Sequence, residues 1–248
     1  MSGKIICIGG GVGPMAGVKL QEQIIKNTKT NGTDQDHLEV HHFSRSHDIV
    51  DRTQFLLNKI DENPAEGMFR TAQAMDQAAK AIGKTPVLGI PCNTFHAPKI
   101  FNHFLELLEK NKIDIQVISM LEETTTFIKK NFAHSKKIGV LTTTGTRTVK
   151  VYNQAFEPLG FEILEVPSEM QEELHDSIYN EEWGVKAKNP VTDKARKKIL
   201  KFAHILIEQG ADIIYIRMYG IPIGVTRKRA RWHSIDRPNV YPSKSINP

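Results

Sequence analysis

A thiol set among proline, asparagine and threonine marks the stretch Thr85-Pro-Val-Leu-Gly-Ile-Pro-Cys-Asn-Thr-Phe-His-Ala-Pro98. The apolar run Val87 to Ile90 reads as a buried parallel strand. Pro91 has no N–H to give the ladder and ends it. Cys92 then falls at the strand's C-terminal end, where open α/β sheets hold their ligands. Asn93 or Thr94 is expected to cap the following helix, which would turn backbone N–H groups and a positive helix end toward the sulfur. Such surroundings favour thiolate, the form that attacks carbon or takes a proton. The competing reading is a small buried hydrophobe; the polar neighbours favour the reactive one.

Other residues offer charge. Arg52, in Asp51-Arg-Thr53, can grip a carboxylate with two parallel N–H bonds, or simply be a solvated arginine. Lys186 could act as a carboxylate partner just past the helix that Gly184 should end, or be one exposed lysine beside Lys188 and Lys194. His41, His42 and His47 lack cysteine or carboxylate companions at ligand spacing, so no metal site is expected. Gly9-Gly-Gly-Val-Gly-Pro-Met-Ala-Gly17 turns the first strand into a helix, and its backbone could hug a carboxylate or phosphate. It is a poor dinucleotide fingerprint, because no acid stands at the end of the second strand, Leu38 to Phe43.

The elements that must position these groups alternate between β and α. Strands are expected at Lys4–Gly10, Leu38–Phe43, Val87–Ile90, Asp114–Ser119, Lys136 onward and Ala211–Ile216. Between them, Ala65, Met68, Phe69, Ala72, Met75 and Ala79 have the spacing of a helix packed on a sheet. Further helices are expected over Ile100–Leu108, Leu121–Asn131, around Tyr152, and over His175–Gly184. The run Leu141-Thr-Thr-Thr-Gly-Thr146 after its strand repeats the opening strand–loop–helix device. Ile221-Pro222 after the last strand echoes Ile90-Pro91. The chain therefore reads as an internal duplication with a cleft between similar halves. The expected halves are 1–100 with about 208–225, and 101–207, followed by a basic tail at 226–248.

The chain has 248 residues, 40% hydrophobic and 25% charged, ordinary for α/β globular proteins. Two cysteines, Cys7 and Cys92, argue for a reducing, cytoplasmic setting over a disulfide framework. No leader and no apolar run of spanning length is visible, so no membrane is expected. The net charge of +5 is local: residues 226–248 carry six Lys/Arg and one acid, which leaves 27 of each sign elsewhere. A neutral body offers nucleic acid no footprint; an RNA- or DNA-binding tail is the rival reading.

Taken together, Gly10-Gly-Val-Gly-Pro14, Asp51-Arg-Thr53, Pro91-Cys-Asn-Thr94 with His96, and Leu141-Thr-Thr-Thr-Gly-Thr146 resemble the cofactor-independent aspartate/glutamate racemase superfamily, nearest its aspartate racemase branch. The resemblance runs from the first strand to about Ile216. It implies two pseudo-symmetric parallel-sheet α/β domains with the active site in the cleft between them, often in a homodimer, and no cofactor. It also implies two cysteines on opposite sides of the substrate Cα, because inversion needs a base on one face and an acid on the other. On this resemblance Cys92 is one thiol, Asn93, Thr94 and Thr143 bind the substrate's α-carboxylate or amine, and Arg52 and Lys186 its carboxylates.

One departure stands out. The family pattern Gly-Cys-Thr-Glu before Ile-Pro is replaced by Arg217-Met-Tyr-Gly-Ile-Pro222, and Met218 occupies the second cysteine's place. A thioether carries no proton. Arg217 to Gly220 can be encoded so that a one-base shift reads Gly-Cys-Thr. Arg229 to Ser243 can likewise be encoded to yield a family-like Glu-Leu-Asp-Gly-Ile-Pro-Leu-Ile-Asp-Pro-Thr-Ser-Ile-Leu. Small frame changes would account for both the missing cysteine and the basic tail. Three functions follow: an impaired aspartate or glutamate racemase, a one-cysteine decarboxylase or isomerase of a small diacid, or a catalytically silent dicarboxylate-binding protein.

Overall fold

A computed structural model describes residues 3–188, 190–218 and 221–226, with 217–218 and 221–226 described by backbone alone. Two compact units emerge, and the division falls between Phe127 and Ile128.

In the first unit, β1 (Lys4–Gly10), α1 (Pro14–Asn27), β2 (Val40–Ser44), α2 (Arg52–Leu56), α3 (Pro64–Ala81), β3 (Thr85–Gly89), α4 (Pro98–Lys110) and β4 (Gln116–Ile118) alternate, and α5 (Met120–Asn131) follows. The strands lie in the order β2-β1-β3-β4, and all pairs are parallel. Each connection is long enough to cross over, as parallel pairing requires. All six apolar positions expected on α3 are buried, from Ala65 to Ala79. Asn63 caps this helix through its side chain, and Pro64 fills a first-turn position that needs no N–H.

The second unit contains β5 (Lys137–Val140), α6 (Thr144–Thr148), α7 (Val151–Phe156), β6 (Glu162–Glu165), α8 (Gln171–Tyr179), α9 (Asp193–Glu208), β7 (Ile213–Met218) and β8 (Ile221–Thr226). Their order, β6-β5-β7-β8, repeats the plan of the first sheet. The core on one side gathers Leu174 and Ile178 of α8, Ile199, Phe202 and Leu206 of α9, and Ile214 and Ile216 of β7.

Two expectations need correction. The first half does not stop near residue 100 and resume at 208: α4 carries the chain across to β4, which pairs with β3, whereas β7 pairs with β5. Successive strand–crossover–strand steps settle beside their neighbours, so the chain completes one sheet before starting the next. The second sheet is also not wholly parallel. β8, expected as a loop at Ile221-Pro222, runs antiparallel to β7. Only residues 219 and 220 separate these strands, too few for a crossover and enough for a hairpin. The expected tail beyond Thr226 lies outside the described residues.

The glycine-rich opening is also accounted for by packing. A Cβ on Gly10 or Gly17 would meet His42 Nε2 at 2.5 or 2.3 Å, and one on Gly9 would meet Met68 Sδ at 2.9 Å. Gly11, at φ +85°, lies under the backbone N–H groups of Arg45 and Ser46. On α3, Gly67 lets the loop before α2 approach until its Cβ position is 1.9 Å from the Asp48 carbonyl oxygen. Arg70, one turn on, grips the Asp48 carboxylate with Nε and Nη2. Helix propensity alone predicts that Gly67→Ala stabilises α3 by about 1 kcal/mol. The contact predicts the reverse, a loss of about 1–3 kcal/mol from overpacking, which urea unfolding will read by sign alone.

Candidate active site

Cys92 lies three residues past the last β1–β3 pair, Ile8 with Gly89. Met218 lies three past the last β5–β7 pair, Val140 with Tyr215. The two positions are therefore matched by register in the two sheets. Nothing is described of the Met218 side chain or of Tyr219.

The two thiols differ sharply. Cys7 sits wholly in the core, and burial pushes its thiol up to about 11, so it stays protonated and inert. Cys92 is only partly buried. Its N–H donates to the Ile90 carbonyl at 2.9 Å, and its carbonyl accepts from His96 Nδ1 at 2.8 Å. The expected cap is not there. Asn93 is helical in backbone but makes no side-chain cap, Thr94–His96 form a single 3₁₀ turn, and α4 begins only at Pro98 behind Ala97. Ala97, in the N-cap position of α4, has no side-chain oxygen to offer the first-turn N–H groups.

Arg52 is the first residue of α2, whose start is capped by Asp51 accepting from Gln54 N–H at 2.7 Å. Its Nη1 donates to the Val50 carbonyl at 3.3 Å. Its Nε is buried with no partner among the described residues, a donor in hand for an incoming acceptor. The Arg70–Asp48 clamp and the close contact at Gly67 fix the loop that delivers it. Among the described residues no three His, Cys, Asp or Glu side chains converge as ligands. His42 instead packs on glycines and shares a hydrogen with Gln21 Oε1.

In the second unit, a stripe on α8 that the sequence reading missed holds the remaining groups. Gln171, His175 and Tyr179 are spaced by four residues and so face one way. Gln171 Nε2 donates to the Thr142 carbonyl at 3.1 Å. His175 Nδ1 accepts the Thr144 N–H at 3.2 Å, so its proton sits on Nε2. Its ring stacks on Tyr179 with centroids 4.9 Å apart. Between Thr142 and Thr144, Thr143 caps α6 and shares a hydrogen with Thr146 Oγ1 at 3.0 Å. α8 ends at Tyr179, not at Gly184. The chain then folds back, with Val185 N–H on the Ser177 carbonyl and Lys186 N–H on that of Ile178. This return lays the exposed Lys186 over Tyr179: Nζ donates to the phenol oxygen at 2.7 Å and lies 3.9 Å from the ring centroid. The loop that carries Thr143 is thereby joined to Lys186 through His175, which holds Thr144, and Tyr179. The four-residue spacing was the signal available in the sequence.

A family model described as Asp/Glu/Hydantoin racemase matches residues 10–216. Among solved structures, the chain is similar to an aspartate racemase from Picrophilus torridus, with TM-score 0.66 and 22% identity over 87% of this chain and 80% of that one. It is also similar to an aspartate racemase homologue from Pyrococcus horikoshii, with TM-score 0.58 and 19% identity over 86% and 84% of the two chains.

Burial lowers the pKa of His175; the Lys186 charge adds to this, and Asp176 opposes it. A histidine whose folded pKa is depressed stabilises fully above its unfolded pKa of about 6.5, and that contribution is lost as pH falls, because the unfolded chain takes the proton first. His42, lowered by burial, adds the same sign. Unfolding free energy should therefore fall between pH 7.5 and 5.5. His175→Gln should flatten that fall, as denaturant curves at both pH values will show.

Proposed function

Because the chain belongs to the Asp/Glu/hydantoin racemase family, we propose that it acts on an acidic amino acid of aspartate or glutamate type by proton transfer at Cα, without pyridoxal. The supporting observation is the matched register of Cys92 and Met218 at the ends of corresponding strands. Cys92, as thiolate, removes the α-proton from one face. The carbanion has no cofactor to delocalise it and relies on positioned charges and hydrogen bonds. Arg52 and Lys186 hold the substrate carboxylates, and Asn93, Thr94 and Thr143 the α-carboxylate or amine. Lys186 suits this role because its ammonium is held over the Tyr179 ring by the phenol oxygen and not left to wander.

The opposite face calls for a proton donor at 218, and a methionine has none. The same thiol that takes the α-hydrogen returns one from solvent to the same face, so exchange outruns inversion. That single-thiol arrangement also favours a second reading, decarboxylation or isomerisation of a small diacid, or binding without turnover. The proposed enzyme is cytoplasmic and homodimeric. We attribute Met218 and the basic tail to small frame changes in the coding sequence near residue 217 and after 228, which resequencing of that region tests.

In heavy water, L- or D-aspartate should gain α-deuterium faster than it changes chirality. Cys92→Ala should cut exchange roughly 10²–10⁴-fold, the usual loss of a general base. Met218→Cys, alone or with the reframed tail, should raise the ratio of inversion to exchange. Malonate and maleate derivatives consumed in preference to aspartate would favour the second reading.

A further inference from the structure

We propose that His96 is the positioning residue of Cys92, a side-chain rung that ties the end of β3 to the start of α5. The imidazole is 3% exposed, and an unpaired polar ring so deep would cost several kcal/mol. Both nitrogens are instead committed to backbone. Nδ1 donates to the Cys92 carbonyl at 2.8 Å, and Nε2 accepts the Met120 N–H at 3.2 Å. A carbonyl only accepts and an amide N–H only donates, so the ring is neutral with its proton on Nδ1.

The last β3–β4 pair is Gly89 with Ile118; Cys92 lies three residues beyond one and Met120 two beyond the other. Where the backbones diverge and can no longer bond each other, His96 bonds both. Phe101 stacks on its ring with centroids 4.6 Å apart, and Phe95 meets it edge-on at 6.4 Å, which leaves the ring little room to turn. With Pro91 fixing the preceding φ and the Cys92 N–H bound to Ile90, both polar backbone groups of Cys92 are held. The sulfur keeps only its own χ1 rotation. This holds the thiol within the narrow geometry that proton abstraction demands.

The inference rests on the reading of Cys92 as the proton-transfer group, so its test has two independent readouts. The first is thiol reaction with 5,5′-dithiobis(2-nitrobenzoate), which needs no turnover; peptide mass analysis separates Cys92 from the core thiol Cys7. In His96→Leu both bonds are lost, and Cys92 should react at least about threefold faster while Cys7 stays silent. In His96→Gln, whose amide offers one donor and one acceptor, the rate should stay within about twofold of wild type. The second readout is α-hydrogen exchange on aspartate: kcat should fall about tenfold or more in the leucine variant with KM nearly unchanged, and the glutamine variant should recover most of it.

A folded leucine variant whose Cys92 reacts at the wild-type rate overturns the inference. If Cys7 also reacts, the fold is lost, and His96→Asn, too short to span both partners, replaces it under the same criterion. Absence of exchange in the wild-type chain would sink the proposed function alone, and the thiol rates would still decide the role of His96.

Discussion

A central parallel strand gives its backbone to two neighbours, and where it ends its next N–H and C=O groups must find other partners or stay in water. The candidate chemistry lies at such ends. Past β3, Pro91 removes a donor and His96 supplies the partner for the Cys92 carbonyl. Past β5, Gln171 takes the Thr142 carbonyl and His175 the Thr144 amide. Each sheet thus secures its strand-end loop with side chains borrowed from the following helical segments, and the reactive groups inherit their orientation from that arrangement.

The two units do this with different economy. In the first, one neutral imidazole bridges two loops inside an aromatic nest. In the second, a stripe along α8 spreads the same task over three side chains and ends in a cation, Lys186, lying on Tyr179. An amine above a phenol ring gains from the ring's negative face while its remaining N–H groups point outward. That suits the recognition of an anion better than a freely mobile lysine does.

Much of the architecture was legible in the sequence because burial writes periodicity. The six apolar positions of α3, the β1 run and the strand before Cys92 all fell where expected. The amphipathic helix α9, with Ala195, Ile199, Phe202 and Leu206 buried, went unread among its lysines, and β6 is short and half-polar. The partition between halves was misjudged because pairing between distant strands leaves no local mark; only the crossover rule, applied strand by strand, decides it. The glycine loop was read as an anion cradle from composition. Its glycines are equally required by His42, Met68 and the Arg45–Ser46 backbone, contacts between segments 25 or more residues apart that no local pattern records. The site residues were legible as types, but the stripe that joins the Thr143 loop to Lys186 needed helix geometry to be seen.

The two-residue hairpin after Met218 reverses the chain's direction, so Thr226 comes to rest beside Ile213. Five residues of extended strand separate Ile213 from Met218, roughly 17 Å at 3.3–3.4 Å per residue. The last described residue of β8 thus lies at the sheet margin remote from the strand-end loops. A purification handle, fluorophore or carrier fused directly after Thr226 would set out from that margin, away from the Thr143 loop.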